Sequence, residues 1–386
     1  MYKVRVLNNI SPAGLTRFGD AYQIGGDCSD PHVILVRSFN MWDMTLPDSL
    51  RAVGRAGAGV NNIPVEELSS RGIPVFNAPG ANANAVKELV VAGMLLAARN
   101  ICQSWAYTRA LEGSADEIEK QVELGKKRYA GIELPGRTLG VVGLGYIGRQ
   151  VANAAVALGM RVIGYDPGLT VEGAWQLDTQ VERAVSVEQL LSRSQFVTFH
   201  VPLNDATRGL LNHERLVLLP KGATVLNFAR AGIVDDAAVV AALDAEELHA
   251  YVCDFPTPAL ITHPKVIALP HLGASTAEAE DNCAVMVVDQ VMDYLERGNV
   301  TNAVNFPDLV LPLTDGFRLC VVNSNVPNMV GQITTALATA ELNIVDMLNK
   351  SRGDLAYTVV DVDKPLPSAL LDKLAAIEGV LSVRAL

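Results

Sequence analysis

Between residues 4 and 98, short apolar runs rich in β-formers (4–7, 33–36 and 74–76) alternate with segments of helical period (65–71 and 84–98). That alternation is the pattern of an α/β unit. A polar, charged stretch (114–129) and the segment Leu134-Pro135-Gly136-Arg137 follow, so a boundary is expected near 100–135 before a second series opens at Thr138. In that series the runs 139–142, 162–165, 196–199, 224–227, 251–253 and 266–269 are separated by helix-length segments. Near-continuous apolar strands of this kind predict a parallel sheet covered on both faces. A long helix is expected over 275–297, closed by Gly298, whose permissive backbone suits a helix C-terminus. Residues 305–316 carry Pro307, Pro312 and Gly316 without periodicity and read as a linker. The remainder reads strand 317–322, helix 327–341, strands 344–349 and 356–362, helix 367–377 and strand 380–383. This βαββαβ order is ferredoxin-like.

Length and composition agree with a modular globular chain. The 386 residues predict two to three domains, and 49% apolar with 19% charged residues excludes disordered, collagen-like and repeat classes. The longest apolar run, 89–98, is far short of the ~20 residues that a bilayer span requires. The start of the chain lacks a signal-peptide core, so a cytoplasmic location is expected. Five cysteines, widely spaced and without a CxxC pair, predict neither disulfide nor zinc. A net charge of −11 opposes binding to nucleic acid or anionic membranes. An anionic metabolite remains compatible, provided that a few arginines gather at one place.

The second series opens with Gly143-Leu144-Gly145-Tyr146-Ile147-Gly148, a GxGxxG pattern between an expected strand and an expected helix. In such a turn Gly143 makes the tight bend, Gly145 admits a pyrophosphate to the backbone, and Gly148 lets helix and strand pack closely. Asp166 stands at the end of the next expected strand. A carboxylate there accepts hydrogen bonds from the adenosine ribose and repels a 2′-phosphate, which favours NAD over NADP as cofactor.

The segments Asn227-Phe228-Ala229-Arg230-Ala231-Gly232-Ile233-Val234-Asp235 and Pro270-His271-Leu272-Gly273-Ala274-Ser275-Thr276 resemble two strand-end signatures of the D-isomer-specific 2-hydroxyacid dehydrogenases, over about residues 1–306. The tail resembles an ACT regulatory domain. The resemblance implies a doubly wound parallel sheet, a Rossmann-like NAD domain, inserted in a flavodoxin-like substrate domain and followed by a ferredoxin-like ACT domain. The expected divisions are 1–98 with 275–306 for substrate, 99–274 for NAD, a linker over 307–316 and an ACT tail over 317–386.

Oxidising a secondary alcohol needs a proton acceptor at the hydroxyl and a fixed cation at the neighbouring carboxylate. Imidazole and guanidinium supply those chemistries, so His271 and Arg230 are the expected catalytic pair. By the resemblance, Ala58, Gly59 and Val60 offer backbone amides to the substrate carboxylate, and Arg37 and Arg55, with Lys87 as a weaker candidate, offer charge to a substrate phosphate. The cofactor set expected in the same way adds Tyr146, Ile147, Val201, Pro202, Phe228, Ala229, Asp254 (toward the carboxamide), Gly273 and Ala274. The implied reaction is oxidation of a phosphorylated D-2-hydroxy acid. Alternatives are a dehydrogenase of another D-2-hydroxy acid (4-phosphoerythronate or glycerate) or a catalytically silent NAD- and amino-acid-sensing protein.

One departure stands out. The family carries a glutamate soon after the position of Asp254 that hydrogen-bonds the catalytic histidine, whereas this chain reads Asp254-Phe255-Pro256-Thr257-Pro258-Ala259 and has no acidic residue between Asp254 and Glu278. Either another acid (Asp254, Glu278 or Glu280) reaches His271, or the imidazole works without one. In the tail, Asn325 and Asn343 match family positions that bind an amino-acid effector across paired ACT domains, L-serine being the expected one, and Asn323 replaces a usual histidine. A homodimer or homotetramer is expected. Asn328 stands where glycine is usual, and asparagine tolerates the left-handed backbone such a turn requires.

Overall fold

A computed structural model describes all 386 residues. They form two compact units, Met1–Asn82 with Ala277–Leu386, and Ala83–Thr276. In the first unit, strands β1 (Tyr2–Leu7), β2 (Tyr22–Gly25), β3 (Val33–Val36), β4 (Ala52–Arg55) and β5 (Val75–Phe76) make a parallel sheet in the order β2-β1-β3-β4-β5. This is the flavodoxin-like winding. Two of these strands escape the hydrophobic pattern. β2 buries only Tyr22 and exposes Gln23 and Ile24, and β4 is four residues long with Gly54 inside it. That glycine is a packing requirement, since a Cβ there would lie 2.8 Å from both Leu35 Cδ2 and Val287 Cγ2. The helix Ala277–Arg297 rests on this sheet through Cys283, Ala284, Val287, Val288 and Val291.

The second unit holds seven parallel strands: β6 (Thr138–Val142), β7 (Arg161–Tyr165), β8 (Val181–Arg183), β9 (Phe196–Phe199), β10 (Ala223–Asn227), β11 (Leu248–Cys253) and β12 (Val266–Ala268). Their order is β12-β11-β10-β9-β6-β7-β8, a doubly wound Rossmann arrangement extended by one strand. β6, β9 and β10 are buried at every position, as continuous apolar runs require. The helix Ala83–Ala98, expected to end the first unit, groups with the second. Its Gly93 is the reason: a Cβ there would meet Phe228 Cζ at 3.0 Å and Val252 Cγ1 at 3.2 Å. The polar stretch after it is helical, over Ile101–Arg109 and Ala115–Gly125, the latter opened by a Ser114–Glu117 capping box.

The tail forms β13 (Phe317–Ser324), β14 (Ile344–Arg352), β15 (Leu355–Val362) and β16 (Val380–Ala385), antiparallel in the order β14-β15-β13-β16, with helices Met329–Thr339 and Ser368–Ala375. Asn328 caps the first of these helices at φ +69°. One face of the sheet buries Leu319, Val321, Val360 and Val362 against the helices. The other face, through Cys320, Val322, Tyr357 and Val359, enters one core with Phe76, Tyr294 and Phe306 of the first unit.

Residues 307–316, expected as a linker, form an irregular but anchored segment: Pro307, Leu309 and Leu311 are buried, 312–316 are exposed or half-buried, and Val300 pairs with Leu309. Arg318 fastens it, donating to Asp361 at 2.7 and 2.8 Å and to the carbonyls of Arg297, Leu311 and Pro312. Of its two prolines, Pro307 is buried and Pro312 is exposed. No helix is long and apolar enough to cross a membrane.

Candidate active site

The expected cofactor and catalytic residues of the second unit all stand just beyond the carboxyl ends of its parallel strands, on both sides of the point where the winding reverses between β6 and β9. Ligands bind at such points. After β6, Gly143 adopts φ +91° and its N–H donates to Tyr165 O at 2.8 Å. A Cβ on Gly148 would lie 1.8 Å from Gly143 O, whereas one on Gly145 would meet nothing within 4 Å. The closed positions shape the turn, and the open one leaves room for a ligand. The helix Tyr146–Ala157 begins there without a side-chain cap, so its first N–H groups are free for an anion.

At the end of β7, Asp166 accepts from Leu144 N and Gly168 N, both at 2.8 Å, which fixes the carboxylate beside the turn. Val201, with Pro202 after it, abuts Gly143 from β9: Val201 Cγ1 lies 2.8 Å from where a Gly143 Cβ would be. These features fit a dinucleotide, with Asp166 set for the ribose and the turn for the pyrophosphate.

Beyond β10, Asn227 closes the turn that presents Arg230. Its Nδ2 donates to Arg230 O at 2.9 Å and its Oδ1 accepts from Ala229 N at 3.2 Å. Arg230 donates to Ala229 O at 2.6 Å and pairs with no carboxylate in its unit. Burial pushes its guanidinium below the ordinary value. A desolvated cation of this kind is poised for an anion. Phe228 is a core residue packed on Gly93, and Ala229 is half-buried.

Beyond β12, His271 is exposed and holds φ +56°, a left-handed conformation that few residues other than glycine adopt and that histidine tolerates better than most. Asp254, wholly buried at the end of β11, accepts from Leu272 N and Gly273 N at 2.8 Å each. Both of its oxygens therefore grip the backbone just after His271, with no hydrogen bond to the imidazole. Glu280 is engaged elsewhere, with Arg37 at 2.8 Å. Within the second unit no carboxylate is bonded to the His271 ring. Phe255 packs on it instead, with ring centroids 5.1 Å apart.

In the first unit, Arg37 follows β3 and Arg55 ends the neighbouring β4, and Arg55 Nε donates to Arg37 O at 3.1 Å. Arg37 lines a cavity of about 230 Å³ with Asn8, Asn9 and Ser38. Burial raises the Cys283 thiol pKa, and the nearby charges of Arg55 and Arg37 oppose the shift. The N–H groups of Ala58, Gly59 and Val60 donate to no protein acceptor, while Asn77 Nδ2 secures Ala58 O at 2.6 Å. Lys87, in the second unit, lies 3.7 Å from Glu88.

In the tail a cavity of about 290 Å³ is lined by Asn323, Asn325, Asn328 and Asn349 among others. Asn323 is 1% exposed and its Oδ1 has no partner. Asn343 lies at the far end of β14, bonded to Asp363, outside this cavity. Sequence reasoning passed over Asn349, hidden in a strand pattern. It also passed over His200, whose Nε2 lies 3.0 Å from Thr198 Oγ1 while its Nδ1 is shielded and unpartnered.

Residues 91–273 match the D-isomer specific 2-hydroxyacid dehydrogenase NAD-binding domain, and the chain belongs to that dehydrogenase family. Among its relatives, it is 36% identical to the D-3-phosphoglycerate dehydrogenase of Methanocaldococcus jannaschii over 341 residues, which is 87% of this chain and 60% of that one. Its identity to the D-3-phosphoglycerate dehydrogenase of Haemophilus influenzae is 33%, covering 98% of this chain and 94% of the relative. Among solved structures, D-mandelate dehydrogenase of Rhodotorula graminis shares the fold, with TM-score 0.69 and 22% identity over 81% of this chain and 99% of that one.

Proposed function

We propose that the chain oxidises D-3-phosphoglycerate to 3-phosphohydroxypyruvate with NAD, the entry step of L-serine synthesis. The observation that carries this is Arg230, a desolvated guanidinium without a carboxylate partner, at a strand end of the same sheet as His271 and the GxGxxG turn. NAD, when bound, supplies the hydride acceptor. Arg230 clamps the substrate carboxylate, assisted by the amides of Ala58, Gly59 and Val60. His271 takes the hydroxyl proton as the C–H hydride leaves, so the alcohol loses two electrons and two hydrogens. Asp166 holds the ribose, and the first turn after Gly145 holds the pyrophosphate. Arg37 and Arg55 receive the substrate phosphate, which is the ground for preferring this acid over glycerate. Initial rates of NADH formation with D-3-phosphoglycerate, 4-phosphoerythronate and D-glycerate decide the reading, and a preference for D-glycerate refutes the phosphate assignment. The missing carboxylate behind His271 favours a second reading, a silent NAD- and amino-acid-sensing protein. NADH formation from any of the three acids dismisses it.

The tail cavity is assigned to L-serine, because the unpartnered Oδ1 of Asn323 suits the ammonium of a zwitterion. Asn343 would come from a second copy. The helix Ile101–Arg109, with Trp105 62% exposed and no residue buried, is the surface assigned to homodimer or homotetramer assembly. Unchanged initial rates across millimolar L-serine refute the effector assignment. The free cysteines suit a cytoplasmic location.

A further inference from the structure

The imidazole of His271 needs an orienting contact, because a flexible exposed histidine samples several rotamers and only some place its nitrogen on a substrate hydroxyl. In this chain the contacts given to it are of two kinds. The backbone is clamped by Asp254, whose buried carboxylate accepts from Leu272 N and Gly273 N. The ring is touched by Phe255, tilted 53° to it with centroids 5.1 Å apart, a geometry in the attractive range for aromatic pairs.

Phe255 is itself held stiffly. It precedes Pro256, and Thr257 precedes Pro258, so Phe255 and Thr257 are biased to extended backbone and the φ angles of the two prolines are fixed. Thr257 Oγ1 then donates to Asp236 at 3.1 Å, and Pro258 opens the short helix Pro258–Ile261. Little backbone entropy remains for Phe255 to lose when it packs on a neighbour.

We propose that Phe255 is a positioning residue for His271, doing by ring packing what a hydrogen-bonded carboxylate does in the enzymes this chain resembles. The proposal rests on the dehydrogenase reading above. Asp254 sets where the imidazole is attached, and Phe255 sets which way it faces. The Phe-Pro-Thr-Pro segment is thereby a substitute for the absent glutamate rather than a scar left by its loss.

The test compares the wild-type chain with Phe255→Leu, which keeps an apolar side chain of similar bulk, and Phe255→Tyr, which keeps the ring. Initial rates with D-3-phosphoglycerate and NAD are measured together with the proton NMR resonances of the imidazole, assigned through His271→Asn. The chain has six histidines, so the assignment is tractable. The expected result for Phe255→Leu is a fall in kcat of about ten-fold, with both KM values and the melting temperature close to wild type. His271 resonances should also move as the ring current is lost. Phe255→Tyr restores kcat and the resonance. Wild-type kcat in Phe255→Leu, an unmoved His271 resonance, or a loss confined to KM overturns the proposal. If the wild-type chain forms no NADH from any hydroxy acid, the dehydrogenase reading falls, and this proposal with it.

Discussion

Replacing Gly148 by alanine adds one methyl at the tightest point of the cofactor turn. Its Cβ would lie 1.8 Å from Gly143 O and 2.9 Å from Gly143 C. Both are backbone atoms, so no rotamer relieves the clash. Gly143 cannot yield either, because its N–H is tied to Tyr165 O and its own Cβ position is 2.6 Å from His200 O. Ordinary carbon contacts begin near ~3.5 Å, so the helix Tyr146–Ala157 must retreat by roughly 1.5 Å. Overpacking of this sort costs about 1–3 kcal/mol, which lowers the melting temperature by roughly 2–10 °C. The retreat also carries away the N–H groups that face the pyrophosphate. Losing one charge-assisted hydrogen bond is worth about 1.5–3 kcal/mol, so NAD affinity should fall about ten- to a hundred-fold. Differential scanning fluorimetry and calorimetric titration with NAD measure the two effects. Gly145→Ala is the control: its Cβ meets nothing within 4 Å and φ is −65°, so stability should hold while NAD binding weakens. Wild-type stability and NAD affinity in Gly148→Ala would refute the reasoning.

Three further outcomes follow from the same geometry. Arg230→Lys keeps the charge but loses the planar fork, and kcat/KM for the hydroxy acid should drop about ten- to a hundred-fold with NAD affinity unchanged; a steady-state comparison checks it. Arg318→Met strands the buried carboxylate of Asp361 and should destabilise the fold by about 3–5 kcal/mol, whereas replacing both partners with apolar residues should cost far less; urea unfolding separates the two. Burial lowers the His200 pKa from 6.5 to about 3, so the folded chain refuses a proton that the unfolded chain accepts. Stability is therefore full above about pH 6.5 and falls toward pH 3 by up to about 1.4 kcal/mol per unit. His200→Asn should remove that share of the slope in denaturant midpoints measured across the window.

The parallel sheet of the second unit was legible because its strands are buried on both faces and therefore uniformly apolar, and the GxGxxG turn because steric closure leaves only glycine at Gly143 and Gly148. The strands β2 and β4 were not, since one lies at an edge and the other contains Gly54 for the sake of a helix packed on it. The anchoring of the 307–316 linker was not legible, because Leu309 is held by pairing with Val300 and the segment by hydrogen bonds from Arg318, which no local pattern records. The strand-end positions of Arg230 and His271 were legible from their motifs. The packing of Phe255 on His271 was not, because the sequence records a missing acid and is silent about which ring lies against the imidazole. Asn349 enters the tail cavity only through the pairing of β14 with β15, a long-range fact that local patterning does not contain.

The shared core beneath the tail changes what kind of regulation the chain can support. Tyr357 donates to Gly298 O at 2.7 Å, and Arg384 lies 4.0 Å over the ring of Tyr294. Cutting the chain before residue 317 would expose Phe76, Tyr294 and Phe306 together, a wound that invites aggregation rather than a deregulated enzyme. The module is built in, like a keystone: it shares one core with the strands before it instead of hanging from them on a tether.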